Sequence, residues 1–317
     1  MQVRVGFWPT LGLGAWRGVR AFLKLMMIVA PVYTVVTTLR YTPAIRVFAE
    51  FMAPAMRYFG LPGEAALAVI LGNVVNLYAG LGAITALKLP PSQLTVLALM
   101  LLISHSQILE TAVFFRIRAK WWLLWAIRLV VSALAGFGLA RMLVRGGAAA
   151  GAGMARAALA DKAQIPFTGL AQALVKWGRG LGDTALKMLL VLVGIFALLE
   201  LARRYGLLEK VLAGLRRVIG FMGYTKEAGM PWLAGNVFGI VFGAGLIVES
   251  VEEGKLSAKQ VTLVATFLSL CHGLFEDTAI FIVLGANLFW IVVPRLVLAI
   301  VVTWLLSVFL KEQNERS

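Results

Sequence analysis

The stretch Gly72-Asn73-Val74, followed by Gly80-Leu81-Gly82-Ala83-Ile84, is written twice in this chain. Its second copy reads Gly235-Asn236-Val237 and then Gly243-Ala244-Gly245-Leu246-Ile247, 163 residues downstream. Upstream at the same offset, Lys24 falls on Lys187, and Gly60 with Glu64 on Gly223 with Glu227. Beyond a four-residue insertion near Glu252 the offset is 167. There His105 falls on His272, and Glu110-Thr111-Ala112-Val113-Phe114 on Asp277-Thr278-Ala279-Ile280-Phe281. Arg128-Leu129-Val130 then falls on Arg295-Leu296-Val297. Asn, His, acid and Arg recurring in one order at fixed spacing mark an internal duplication. It divides the chain into a first repeat (1–145), a Gly/Ala-rich linker (146–169) and a second repeat (170–317).

Composition decides the solvent. Charged residues make up 14% of the chain, against about a quarter in a soluble domain. Hydrophobic residues make up 61%, and the mean hydropathy is +0.88. These values describe an integral membrane protein, with apolar stretches near the length of a membrane helix around 25–39, 94–103, 123–140, 188–201 and 289–310. Met1–Arg20 has no separate apolar core ending in small residues, so no cleavable signal peptide is expected. The net charge of +15 places Lys and Arg at helix ends, as positive-inside and snorkelling residues, and does not call for nucleic acid. The single cysteine, Cys271, excludes an internal disulfide and a Cys-rich metal site. Neither histidine stands in an HExxH pattern, and GxSxG and GxxxxGK[ST] are missing. The reading is therefore not an enzyme, with no cofactor; any work draws on ion or solute gradients. The expected partners are membrane lipids and a small polar or ionic substrate, in a chain compatible with homo-oligomer assembly.

In order, the sequence predicts a first helix to about Leu39 and an amphipathic interfacial helix over Pro43–Phe59. A broken segment Glu64–Leu87 follows Leu61-Pro62-Gly63. Helices then run from Pro90-Pro91 to about Phe115 and, past the loop 116–120, to about Val144. The second repeat predicts a helix over Leu181–Leu201 and an interfacial one over Gly206–Phe221. A broken segment Glu227–Val251 and helices over Ser257–Leu284 and Asn287–Leu310 complete it. Each signature segment is either one spanning helix, with Gly235, Gly239 and Gly243 as close-packing glycines, or a re-entrant hairpin. In the second case Gly72, Gly80, Gly82, Gly235, Gly243 and Gly245 permit the turn and the close backbone approach. Irregular backbone survives at mid-depth only where it lines a cavity.

Charge separates the two. The loop 116–120 carries Arg116, Arg118 and Lys120, whereas its counterpart Leu284–Asn287 carries no cation. That asymmetry places the two loops on opposite sides, with 116–120 and both termini cytoplasmic. Opposite sides require three crossings per copy, hence hairpins. The expected fold is an all-α polytopic membrane protein of two inverted repeats. Each runs helix, interfacial helix, re-entrant hairpin, interrupted helix, helix, giving six crossings and two hairpins in a prokaryotic inner membrane.

This order resembles the Gate (nucleoside-recognition) family, which includes the membrane half of the ferrous-iron permease, the concentrative nucleoside transporters and the spore-maturation proteins A and B. The resemblance covers nearly the whole chain outside the linker. It implies the interrupted helices and a secondary transporter working by alternating access. In the iron permease the matching segments carry Cys beside the hairpin Asn, where this chain has Val74 and Val237.

The duplicated polar residues are the site candidates. Asn73, Asn236, His105 and His272 are read as substrate-binding, because transporters of this design bind near the midplane between repeats. Neutral and charged histidine interconvert near pH 6.5, which would tune uptake with pH. Glu110 with Arg128, and Asp277 with Arg295, lie at matching depths on neighbouring helices. They are read as ion pairs or gating residues, since an unpaired charge there costs about 3 kcal/mol or more. The metal assignment stays open. The expected activity is transport of a divalent cation or nucleoside-like solute. A translocase for an anionic lipid or polyprenyl phosphate and a non-transporting scaffold are the alternatives.

Overall fold

The computed structural model of the chain describes residues 6–39, 41–144, 170–207, 210, 214 and 220–310. The predicted linker 146–169 and most of the predicted interfacial helix Gly206–Phe221 lie outside the described residues. The rest is helical. In the first repeat α1 is Phe7–Leu39, α2 Pro43–Met56, α3 Ala65–Val74, α4 Leu77–Leu87, α5 Pro91–Ser104, α6 Gln107–Arg116 and α7 Trp121–Leu143. In the second α8 is Leu170–Arg204, α9 Gly229–Phe238, α10 Ile240–Glu252, α11 Ala258–Leu270, α12 Glu276–Val283 and α13 Leu288–Phe309.

Five stretches among the described residues are long and apolar enough to cross a membrane: Phe7–Leu39, Pro91–Arg116, Trp121–Leu143, Ala171–Arg204 and Leu288–Phe309. The sixth predicted crossing, over Ser257–Leu284, is divided by residues 271–275 into helices of 13 and 8 residues. Neither half alone spans the roughly 30 Å hydrocarbon core. The α8 helix starts at Leu170, about three turns before the predicted Leu181, because its early turns have a partner. Trp177 Nε1 donates to Thr34 Oγ1 at 3.1 Å, and Gly180 sits against the Tyr33 hydroxyl. At the other end Gly14 faces Ala197 and Gly18 faces Val193, so the start of α1 lies against the end of α8. Arg17 bonds Glu200 there, and Arg204 donates to Thr10. Lys24 and Lys187, expected near helix ends, stand in the middle of these long helices.

Each signature segment forms two short helices folded against each other. The first turns at Val75-Asn76, where the Asn76 side chain caps α4 by accepting from Ala79 N at 2.9 Å. The second turns at Gly239, whose φ of +88° favours glycine. The pairs close where a Cβ on Gly80 would lie 3.0 Å from Gly72 Cα, and one on Gly243 2.7 Å from Gly235 Cα. Gly245 meets nothing within 4 Å among the described residues and is not part of that contact.

Both copies are tied to their surroundings by the same bonds. Gln93 Nε2 donates to Gly60 O at 2.9 Å, and Gln260 Nε2 to Gly223 O at 2.9 Å. The segment around α5 and α6 is the most buried of the five stretches. Thr95, near the start of α5, accepts from Asn287 N at 3.0 Å, just beyond α12. The inner ends meet instead at His105 and His272, whose ring centroids are 5.0 Å apart.

Candidate functional site

Neither histidine is mid-helix, contrary to the sequence reading. His105 ends α5 in an extended conformation, and Ser106 follows in the left-handed region at φ 53°. His272 lies between α11 and α12, before Gly273 at φ 55°. A helix broken inside a membrane must have its freed backbone groups satisfied by protein. Here Ser106 N donates to Gly72 O at 2.8 Å, and Leu274 N to Asn236 O at 3.1 Å. The freed carbonyls go to arginine. Arg128 Nε donates to Ile103 O at 3.2 Å and Nη2 to His105 O. Arg295 Nε donates to Leu270 O at 3.0 Å and Nη2 to His272 O at 2.6 Å. Both guanidiniums are fully buried and serve as side-chain caps for the first half of each interrupted helix.

One of the two expected ion pairs forms. Arg128 Nη2 meets Glu110 Oε1 at 3.0 Å. Asp277 and Arg295 make no ion pair within 4.0 Å among the described residues. Asp277 is one methylene shorter than Glu110 and turns back over Gly273, where a Cβ would collide with its carboxylate. The copies are complementary here: serine with the longer acid, glycine with the shorter. Glu110 Oε1 also lies 3.5 Å from His105 Nε2 and 3.6 Å from His272 Nε2, so it bridges both repeats.

Around these groups is a cavity of about 310 Å³ lined by residues from four helix breaks. Asn76, Leu77 and Tyr78 come from the start of α4, and Gly239 and Ile240 from the start of α10. His105, Ser106, Leu109 and Glu110 come from one interrupted helix, and His272, Gly273, Glu276 and Asp277 from the other. Ile28 of α1 completes the wall. Tyr78 Oη donates to Glu276 Oε1 at 3.3 Å across the repeats.

Of the sequence candidates, His105, His272, Glu110 and Asp277 are brought together on this wall. Asn73 and Asn236 are not among its lining residues. Their side chains donate one turn back, to Val69 O at 2.8 Å and to Trp232 O at 2.9 Å. Asn76 and Tyr78 were missed by sequence reasoning because they have no like partner: the same positions in copy two are Gly239 and Val241. Glu276 falls on Leu109 and likewise has no like partner in the first copy. Polar residues that break the duplication, beside a helix-breaking glycine, are the signal that could have found them.

Residues 22–121 match a family model described as Gate, nucleoside recognition. Across 295 residues the chain is 30% identical to the uncharacterized membrane protein YvoD of Bacillus subtilis (strain 168), covering 92% of this chain and 91% of that protein. No solved structure matches.

Proposed function

The chain belongs to the Gate (nucleoside recognition) family of membrane proteins, and from that premise we propose that it is a secondary transporter moving a small polar or ionised solute through the cavity between its two repeats. The observation that carries this reading is the convergence of four helix breaks on one polar cavity. A broken helix forfeits backbone bonding at mid-depth, a cost that a purely structural bundle has no reason to repeat four times at one point. In this reading the two short-helix pairs are re-entrant hairpins and the repeats are inverted. The support is that the outer end of α5 touches the residues after α12 while their inner ends meet. Alternating access then rocks one repeat against the other.

Two measurements test it without knowledge of the solute. With Cys271 replaced by serine, Arg118→Cys and Ala286→Cys are expected to react with a membrane-impermeant maleimide from opposite sides of oriented vesicles. Reaction from the same side overturns the inversion. In the same background Leu109→Cys, on the cavity wall, is expected to be labelled from both sides. Labelling from one side only would leave a scaffold or a one-sided pocket and overturn alternating access.

A further inference from the structure

We propose that the solute bound in this cavity is a divalent transition-metal cation, held by Nε2 of His105 and His272 and by carboxylate oxygens of Glu110 and Asp277. The binding stands on geometry; only its role as cargo rests on the transporter reading.

The argument begins with the tautomers. His105 Nδ1 lies 2.8 Å from Leu101 O, and His272 Nδ1 2.7 Å from Leu268 O. A carbonyl only accepts, so each Nδ1 carries the proton, and each neutral ring turns a lone pair on Nε2 towards the cavity. Metal-binding histidines are oriented in this way, by a backbone carbonyl on the far nitrogen. Both Nε2 atoms face Glu110 Oε1 at 3.5 and 3.6 Å. Arg128 and the two backbone carbonyls hold these groups in place, and the lone pairs that converge between them are a donor set for a cation. Ligands about 2.0–2.1 Å from a tetrahedral ion are about 3.4 Å from one another, close to these separations.

Asp277 supplies the fourth position: its carboxylate and the two imidazoles offer ligand atoms all within 4.8 Å of one another. Glu110 presents to the imidazoles the Oε1 that it shares with Arg128, and its Oε2 is buried without a hydrogen-bond partner. All four residues are more than nine-tenths buried.

The donor set narrows the metal. Two imidazoles disfavour Mg²⁺ and Ca²⁺, which take oxygen, and no thiol lines the cavity to favour Cu⁺. Imidazole with carboxylate suits Zn²⁺, Co²⁺, Mn²⁺ or Fe²⁺. The competing reading is an anion drawn by Arg128 and Arg295. Each of those guanidiniums is aimed at two main-chain carbonyls, and neither arginine lines the cavity.

The test titrates the tag-free full chain in detergent with cobalt(II) chloride. The expected result is one equivalent of Co²⁺ per chain, with visible d–d bands that Zn²⁺ displaces. His105→Ala and His272→Ala should each weaken binding by roughly tenfold or more, whereas Met142→Ala, exposed near the end of α7, should leave it unchanged. Should the histidine variants fail to fold, the unsubstituted chain still decides. No bands and no shift in melting temperature at excess cobalt overturn the proposal. So does stabilisation by sulfate or a dicarboxylate in place of the metal, which would make this an anion site. Two-sided labelling at Leu109→Cys without cobalt binding would remove the metal and keep the transporter. Cobalt binding with one-sided labelling would leave a resident metal site and remove the transporter.

Discussion

Arg295→Gln is expected to destabilise the protein by about 3 kcal/mol or more, although Arg295 has no carboxylate partner among the described residues. Its two bonds, to Leu270 O and His272 O, are charge-assisted, and each such bond contributes about 1.5–3 kcal/mol. They close the end of α11 where residues 271–275 interrupt the helix, and Arg295 is fully buried and off the cavity wall. Asp277→Asn leaves both bonds intact and is expected to change the melting temperature little. In the first repeat Arg128→Gln should cost about 3–5 kcal/mol, because the same two kinds of bond go and Glu110 is left buried without its partner. Adding Glu110→Gln to Arg128→Gln relieves the stranded charge but not the stranded carbonyls, so less than half of the loss should return. Thermal denaturation in detergent measures all four variants. Equal melting temperatures for Arg295→Gln and Asp277→Asn would show that the arginine caps do not hold the breaks.

The second large effect belongs to a glycine. An alanine at position 243 would place its Cβ 2.7 Å from Gly235 Cα, a distance that real Cβ atoms do not tolerate. The obstacle is backbone, so no rotamer change relieves it and α9 must move away from α10. The expected loss is about 1–3 kcal/mol. The displacement also moves Gly239 and Ile240 on the cavity wall, so cobalt affinity should fall as well. Gly245→Ala is the control: among the described residues nothing lies within 4 Å of its Cβ position, and the added methyl should be neutral or slightly stabilising. If both variants melt together, the close approach of the two short helices is not a constraint.

The duplication made most of this architecture legible. Repeated Gly, Asn, His, acid and Arg located both broken segments, both interrupted helices and the loops at 116–120 and 284–287. The same symmetry hid what is singular. Asn73 and Asn236 drew attention as a matched pair, yet each satisfies its own preceding turn. Asn76 and Tyr78 reach the cavity without equivalents in the second repeat. The breaks at His105 and His272 are weakly marked locally: neither has a proline, the polar run Ser104-His105-Ser106-Gln107 flags only the first, and Gly273 only the second. What breaks those helices is tertiary: the arginine that takes their carbonyls comes from the following helix, 23 residues on in each repeat. The missing Asp277–Arg295 pair has a similarly small origin. Depth arithmetic along two helices resolves neither a side chain shorter by one methylene nor its turn back over Gly273.

The long pair α1 and α8 has a consequence for the lipid around it. A helix of 33 residues is about 50 Å long, roughly 20 Å more than the thickness of a bilayer's hydrocarbon core. Gly14 against Ala197, Gly18 against Val193 and Tyr33 against Gly180 bind the two along most of that length, so neither can adjust its tilt alone. A thinner bilayer must therefore lean both together. The lean is passed on, because a Cβ on Gly82 would already touch Val29 and Val32 of α1, and α4 carries Asn76 and Tyr78 at its other end. Bilayer thickness thus becomes a variable that reaches the cavity wall, and proteoliposomes of shorter or longer acyl chains should shift cobalt affinity with no change in the protein.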